Sequence, residues 1–182
     1  MKKTIVLASA SFIILSVLVL AGLGYFPVAR AAGSWILYRD LSRAIAIFNA
    51  TQKISGAPQV SADVDIRRAV FEELITRSVI KSSLADFGSK ETNDEVKSNI
   101  QETLAKIDRS QLDQAVNNIY GLSFSEFEDR VILPQVEEIV LEKRVRLSGR
   151  DYDPWLGDKL KQAGVKIYFL PYVWRDSRLE NK

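Results

Sequence analysis

Side chains that commonly carry out catalysis are scarce in this chain. Its 182 residues include neither histidine nor cysteine, which removes the commonest general base, the commonest metal ligand and every thiol or disulfide. A hydrolase would need a serine–lysine pair or two carboxylates instead. Ser82 and Ser83 stand beside Lys81, but the apolar spacing predicts a helix here with these residues on its surface, so we interpret them as structural.

Acidic residues also lack the spacing of a catalytic or metal-binding site. Glu72–Glu73 and Glu137–Glu138 are adjacent on predicted helices, where consecutive side chains diverge by about 100°. The Asp63-x-Asp65 pair lacks the glycine and the closing glutamate of a calcium loop, and no glycine-rich phosphate loop occurs. We therefore predict no catalytic residue, no metal site, no cofactor and no enzymatic activity.

The charge balance gives no sign of a nucleic-acid partner. The formal charge is +2, from 25 basic and 23 acidic residues. Three of the basic residues, Lys2, Lys3 and Arg30, flank an apolar N-terminal segment, so 22 basic residues face 23 acidic ones from Ala31 onward. A nearly neutral domain lacks the basic surface that nucleic acid requires.

The N-terminal segment is predicted to enter a membrane. Residues 4–29 form a run of 26 without a charge, longer than the roughly 20 residues that cross a bilayer core. We assign residues 1–27 to a signal anchor, with its short lysine tail inside the cell and the following domain on the extracytoplasmic side. The alternative is a cleaved signal peptide, because Ala29-Arg30-Ala31 resembles a small-x-small cleavage site; the long apolar run favours the uncleaved anchor.

Helical periodicity dominates the chain after this segment, so we predict a mainly α fold. Capping residues and glycines delimit the helices. In order, the predicted helices are Tyr38–Ile54; one capped by Ser61 or Asp63 and ending at Phe87; one opened by a capping box of Thr92 and Glu95; Ser110–Tyr120; a long helix within 123–149; and one that begins at Asp153-Pro154 and ends at Gly164. Gly121 is predicted to end the fourth of them in the left-handed conformation that glycine adopts at least cost.

The longest helix carries two structural predictions. Ser125 and Glu128 match a capping box at its start. Pro134 lies within the helix, where it removes one backbone hydrogen bond and clashes with the carbonyl of Arg130, so we expect a kink. Because an interior proline costs roughly 3 kcal/mol, Pro134→Ala is expected to raise stability unless the bend is needed for packing.

The two ends of the domain are predicted to pair as strands. Residues 28–37 are typical of one short strand or of two strands broken at Gly33-Ser34, and residues 165–169 alternate between apolar positions and Lys166 or Tyr168. This pattern predicts a short two-stranded pairing of 28–36 with 165–169. Residues 170–174 are aromatic enough to lie near lipid headgroups, and 175–182 are predicted to be a polar tail after a domain of residues 28–174.

One part of the chain resembles a known family. Tyr120-Gly121-Leu122-Ser123, followed by a helix interrupted at Pro134-Gln135 and ending in a basic run, resembles the end of the N-terminal chaperone domain of SurA-type periplasmic foldases. The resemblance covers residues 28–149 and implies a SurA N-terminal-like helical domain that cradles unfolded chains. In that family a histidine-containing prolyl isomerase domain commonly follows. Here 33 residues remain after Gly149 and histidine is absent, so isomerase activity is not expected.

These observations predict a membrane-anchored, extracytoplasmic, holdase-like chaperone. Its partners would be unfolded or partly folded polypeptides, bound through exposed apolar surface. The predicted client-binding residues are Phe48, Phe71, Phe87, Phe124 and Phe127. Packing in the core is the alternative for each of these phenylalanines. The alternative function is a structural or adaptor domain that docks one folded envelope partner.

Overall fold

The computed structural model describes residues 22–55, 63–105 and 107–182. This part of the chain is mainly α, as the sequence predicts, and it also contains two small antiparallel sheets. Helices α1 to α7 are Tyr38–Ser55, Asp63–Leu84, Ser89–Leu104, Arg109–Tyr120, Phe124–Phe127, Leu133–Leu147 and Tyr152–Gln162; strands β1 to β5 are Pro27–Ala31, Ser34–Leu37, Lys166–Ile167, Tyr172–Arg175 and Arg178–Asn181. A 3₁₀ turn, Ala85–Phe87, follows α2, and a π-helical turn, Glu128–Ile132, joins α5 to α6.

The predicted pairing of 28–36 with 165–169 is confirmed. β1 lies between β2 and β3 in an antiparallel sheet, with Ala29 opposite both Ile36 and Ile167. The sheet has three strands rather than two because the chain turns at Ala32-Gly33, where φ values of 47° and 83° match the left-handed pair of a tight hairpin. β1 is therefore the central strand of this sheet.

The C-terminal residues differ from the prediction. β4 and β5 form a second antiparallel hairpin, with Asp176 and Ser177 in the left-handed conformation at its turn. Tyr172, predicted near headgroups, is buried, and so is Leu179 of the predicted polar tail. The Leu179 N–H donates to a Glu72 carboxylate oxygen at 2.6 Å. A single leucine among polar neighbours is too weak an apolar pattern to predict this strand.

Two clusters of buried side chains form the interior. The sheet-side core joins the strands to α1 and to the first part of α2, and Phe71 and Ile75 are fully buried in it. The helix-side core joins the end of α2 to α3, α6 and α7, with Leu141 fully buried at its centre. α2 therefore runs through both cores, since Ile75 belongs to the first and Ile80 to the second.

Residues 124–147 form the predicted long helix, but its start differs. The capping box consists of Ser123 and Glu126, not of Ser125 and Glu128. Both pairs have the capping-box spacing. A start at Ser123 places Phe124 in the first turn, where its ring is buried and its N–H donates to Asp113 at 3.3 Å. Just before this helix, Gly121 ends α4 with a φ of 62°, as predicted.

α3 also begins earlier than predicted, directly after Gly88. Thr92 is not a capping residue, because it is fully buried and its hydroxyl donates to the Gly88 carbonyl at 2.8 Å. Glu95 reaches α6 instead, where Lys143 and Arg144 donate to its carboxylate at 2.7 and 2.6 Å. The hydrogen bond from Lys143, helped by Arg144, holds the pKa of Glu95 below its usual value.

Most of the predicted membrane segment, residues 1–21, lies outside the described residues. Within the part that the structure describes, no helix is both long and apolar enough to cross a membrane. β1 begins at Pro27, so the end of the uncharged run belongs to the folded domain. Residues 4–22 remain as an uncharged stretch of 19, close to the roughly 20 that a spanning helix needs.

Candidate functional site

A cleft of about 710 Å³ opens where α1, α2, the π-helical turn and the start of α6 meet. Apolar side chains line most of it, and charged side chains border them. The apolar lining residues include Ala44, Ile47, Phe48, Ala69, Val70, Leu74, Val131, Leu133 and Pro134. The charged ones are Asp40, Glu73, Arg77, Lys81, Asp129, Arg130 and Glu137.

The π-helical turn shapes one wall of the cleft. The N–H of Leu133 bonds to the carbonyl of Glu128, five residues back, so this turn is wider than an α-helical one. Pro134 follows as the second residue of α6. The proline therefore follows an irregular turn rather than interrupting a regular α-helix, which lowers the cost expected for an interior position.

Arg77 of α2 bonds to this turn from across the cleft. Its guanidinium donates to the carbonyl of Arg130 at 2.9 Å and to Glu73 at 2.8 Å. The Arg130 carbonyl is the group that residue 134 would bond in an α-helix, and Pro134 has no N–H to offer. Arg77 thus supplies a donor from another helix at the position where the proline removes one.

Charges of both signs border the cleft. Arg130 pairs with Asp40 of α1 at 3.4 Å, which links the long helix to a second wall. Burial raises the pKa of Glu137, while the nearby charges of Lys81 and Arg77 oppose this rise. Neither sign of charge predominates around the apolar lining.

Two residues singled out by the sequence, Phe48 and Pro134, line the cleft. Phe71 lies elsewhere, fully buried in the sheet-side core with its ring centroid 6.2 Å from that of Tyr172. Phe124 is also buried, at the start of α5. Both rings are therefore buried, and Phe71 packs in a core, which was the alternative to client binding.

The remaining two predicted phenylalanines pack beside other aromatic rings. Phe87 lies 6.0 Å from Trp155 between ring centroids, at the margin of the helix-side core. Phe127 lies 5.3 Å from Tyr120. Neither lines the cleft, so the structure does not bring the five predicted phenylalanines together in one place.

Several lining residues were not singled out by the sequence. Ile47 forms a stripe with Ala44 and Thr51 along α1, beside the stripe of Leu41 and Phe48 that predicts its buried face. Two adjacent apolar stripes on one helix could have indicated the cleft. The second stripe either contacts another neighbouring element or remains exposed as part of an open surface. The positions contributed by the π-helical turn could not be found in this way, since one extra residue shifts the helical register.

The three residues considered for serine–lysine chemistry differ in exposure. Ser83 is buried rather than on the surface, whereas Lys81 and Ser82 are exposed. In residues 22–55, 63–105 and 107–182, no group of three or more candidate ligands is placed to hold a metal ion.

No protein-family model matches the chain, and no curated protein is significantly similar to it. The resemblance to SurA-type chaperone domains therefore rests on the residues quoted above.

Proposed function

We propose that the protein is a membrane-anchored, extracytoplasmic chaperone of the holdase type that binds apolar segments of unfolded polypeptides. The observation that carries this proposal is the cleft between α1, α2 and the π-helical turn, which is concave and largely apolar. A surface of this shape and chemistry is the usual location of a binding site. Binding in it needs neither nucleotide nor metal, and it involves no isomerase activity.

The size of the cleft fits a short apolar segment. Its volume of about 710 Å³ lies within the roughly 300–1,000 Å³ typical of ligand sites. Burying one leucine- or phenylalanine-sized side chain contributes about 1.5–3 kcal/mol, and ordering an unfolded segment costs about 2–5 kcal/mol. Two or three client side chains in the cleft therefore give weak, reversible binding, which is what a holdase needs.

The mixed charges at the cleft fit clients of variable sequence. Glu137 and Asp129 carry negative charge and Lys81 carries positive charge along the same apolar lining. A polypeptide of either net charge therefore meets a compatible group. This arrangement favours broad recognition, because a site for one folded partner usually also repels other partners.

The burial of β1 supports a retained anchor. Ala29 and Ala31, the small residues of the possible cleavage site, are fully buried in the central strand. Cleavage after Ala31 would remove this strand and leave β2 and β3 without their shared partner. A retained anchor keeps the strand in the domain.

The test uses the full chain in lipid nanodiscs, with several unrelated unfolded proteins as clients and light scattering as the measure of aggregation. We expect the protein to delay aggregation of most of them. Protection of none of the clients overturns the proposal. Protection of a single client, together with binding of its folded form, supports the adaptor function instead.

A matched pair of variants locates the client site. Ala69→Trp fills the cleft from an exposed position on α2 without removing a core side chain. Ala115→Trp makes the same change at an exposed position on α4 that does not line the cleft. We expect the first variant to weaken protection several-fold and the second to leave it unchanged. Equal effects would show that clients bind elsewhere.

A further inference from the structure

One end of the three-stranded sheet carries a group of exposed apolar residues beside a cation. We call this group the juxtamembrane edge, and it consists of Leu23, Tyr25, Tyr38, Arg39 and Phe169. Leu23, Tyr25, Tyr38 and Phe169 have 61%, 44%, 38% and 84% of their surface exposed. Large apolar side chains grouped on a surface mark an interaction site rather than ordinary solvent exposure.

Backbone hydrogen bonds hold this edge together. The N–H of Arg39 donates to the carbonyl of Gly24 at 2.9 Å, and that of Tyr38 donates to the carbonyl of Phe26 at 3.0 Å. On the other side of β1, the N–H of Tyr168 donates to the carbonyl of Val28 at 2.8 Å. These bonds bring the segment before β1, the start of α1 and the loop after β3 to the same end of the sheet.

Phe169 stands out within the edge. It has the most exposed side chain among the large apolar residues that the structure describes, and its φ of 58° is left-handed. A bulky residue rarely adopts this conformation, because its Cβ meets the backbone. The strained backbone presents the ring to the outside, where no other part of the described chain covers it.

Cations accompany these rings. The Arg39 guanidinium lies 4.6 Å from the centroid of the Tyr25 ring, and the Lys182 ammonium donates to the carbonyl of Leu170 at 3.1 Å. Arginine and lysine beside aromatic rings suit the boundary between lipid tails and headgroups, where rings enter the apolar layer and cations meet lipid phosphates.

The position of the edge in the chain identifies its occupant. Residues 4–22 form the uncharged stretch predicted to enter the membrane, and residues 23–26 alone separate it from β1. We propose that the juxtamembrane edge lies on the phospholipid bilayer, with Phe169, Tyr25 and Leu23 at headgroup level, so that the domain is held in one orientation. This inference rests on the anchor in the proposed function. Asp40 of the cleft directly follows Arg39, so this orientation places that end of the cleft near the bilayer.

The absence of cysteine allows a direct test, because one introduced cysteine is the sole labelling site. Phe169→Cys, Leu23→Cys and the control Leu147→Cys each receive a nitroxide spin label in the full chain in phosphatidylcholine–phosphatidylglycerol nanodiscs. Leu147 is a matched control because 73% of its surface is exposed, at the end of α6. The accessibility of each label to oxygen and to a water-soluble nickel complex reports its depth.

We expect labels at 169 and 23 to favour oxygen, with several-fold less nickel accessibility than the label at 147. Equal accessibility at 169 and 147, in protein that co-purifies with nanodiscs, overturns the edge contact and leaves the anchor intact. Failure of the chain to co-purify with nanodiscs overturns the anchor and the edge together. Client protection is measured separately, so its loss does not affect this result.

Discussion

The two cores are assembled from different parts of the chain. All buried members of the helix-side core fall within residues 80–152, whereas the sheet-side core combines residues 28–75 with Tyr172 and Leu179. The first core needs contacts between helices that are close along the chain. The second closes a loop through most of the protein, which costs more chain entropy before its contacts form. α2 is the element on which both depend, and the cleft lies along it, between the two cores.

The largest effects are expected from side chains at the centres of the cores. Phe71→Ala should lower the free energy of unfolding by about 3–5 kcal/mol and Leu141→Ala by about 2–5 kcal/mol, because both side chains are fully buried and leave cavities. Since α2 crosses both cores, each variant should still unfold in one transition. Circular dichroism measures the free energy of unfolding. The fluorescence of Trp174 and Trp155, which lie one beside each core, reports the number of transitions when each is recorded in a variant that keeps only that tryptophan.

Ile139→Ala is the control for these variants, because Ile139 is 60% exposed on α6 and its loss should change the free energy of unfolding by no more than about 0.5 kcal/mol. Separate transitions for Trp174 and Trp155 would show that the cores unfold independently and that α2 does not couple them.

A smaller effect is expected from Glu95, which ties α3 to α6 beside the helix-side core. Glu95→Gln should lower the free energy of unfolding at neutral pH by about 1–2 kcal/mol, because charge-assisted hydrogen bonds are lost. The loss is not larger because solvent partly screens the exposed Lys143. The folded-state pKa of Glu95 lies below 4.5. Its stabilisation is therefore present above pH 4.5 and is lost as the pH falls through the folded pKa.

Urea denaturation over this pH range measures the effect, and the difference between wild type and Glu95→Gln should shrink below pH 4.5. Glu142→Gln is the control, because its partner Arg146 lies on an exposed face of the same helix. A difference that stays constant down to the most acidic pH at which the protein folds would contradict the role given to the Glu95 charge.

A still smaller change in stability than that of Glu95→Gln is expected from Pro134→Ala, in the wall of the cleft. The π-helical turn precedes this residue and Arg77 bonds to the Arg130 carbonyl, so the substitution should change the free energy of unfolding by less than about 1 kcal/mol, not by the roughly 3 kcal/mol of a regular interior proline. A new N–H at residue 134 competes with Arg77 for that carbonyl and alters the cleft wall. The free energy of binding an unfolded peptide should therefore change more than the free energy of unfolding.

Thermal unfolding and peptide titration give the two quantities for Pro134→Ala. Arg77→Met in the wild-type background is the matched variant, because it removes the competing donor and leaves the proline. A rise in stability near 3 kcal/mol with unchanged peptide affinity would show that Pro134 sits in a strained α-helix and has no part in the cleft.

The helices were predictable because each has its own apolar stripe, with capping residues or glycines near its ends. Leu41, Ile45 and Phe48 predict α1, and Gly121 ends α4 where expected. The hairpin of β4 and β5 was not predictable, because Leu179 is buried by contacts with distant residues and not by a pattern around it. The capping box failed for another reason. Ser123 and Ser125 each have a glutamate three residues on, and only packing distinguishes them.

The cleft was predictable only in part. Phe48 and Pro134 belong to it, but large aromatic side chains are poor markers of an open site, because the core competes for them, as Phe71 shows. The lining depends on the register of the long helix relative to α2. The π-helical turn sets that register through one extra residue, and the amino-acid pattern does not distinguish this turn from an α-helical one.

The position of the last hairpin has a consequence for biosynthesis. β1 ends at Ala31 and β5 begins at Arg178, so 146 residues are translated between two parts of the same core. At the usual rate of about 5–20 residues per second, this interval lasts roughly 7–30 s. During it Val28 and Leu41 lack Leu179, a later member of the same core, and exposed apolar side chains make an incompletely folded chain prone to aggregate.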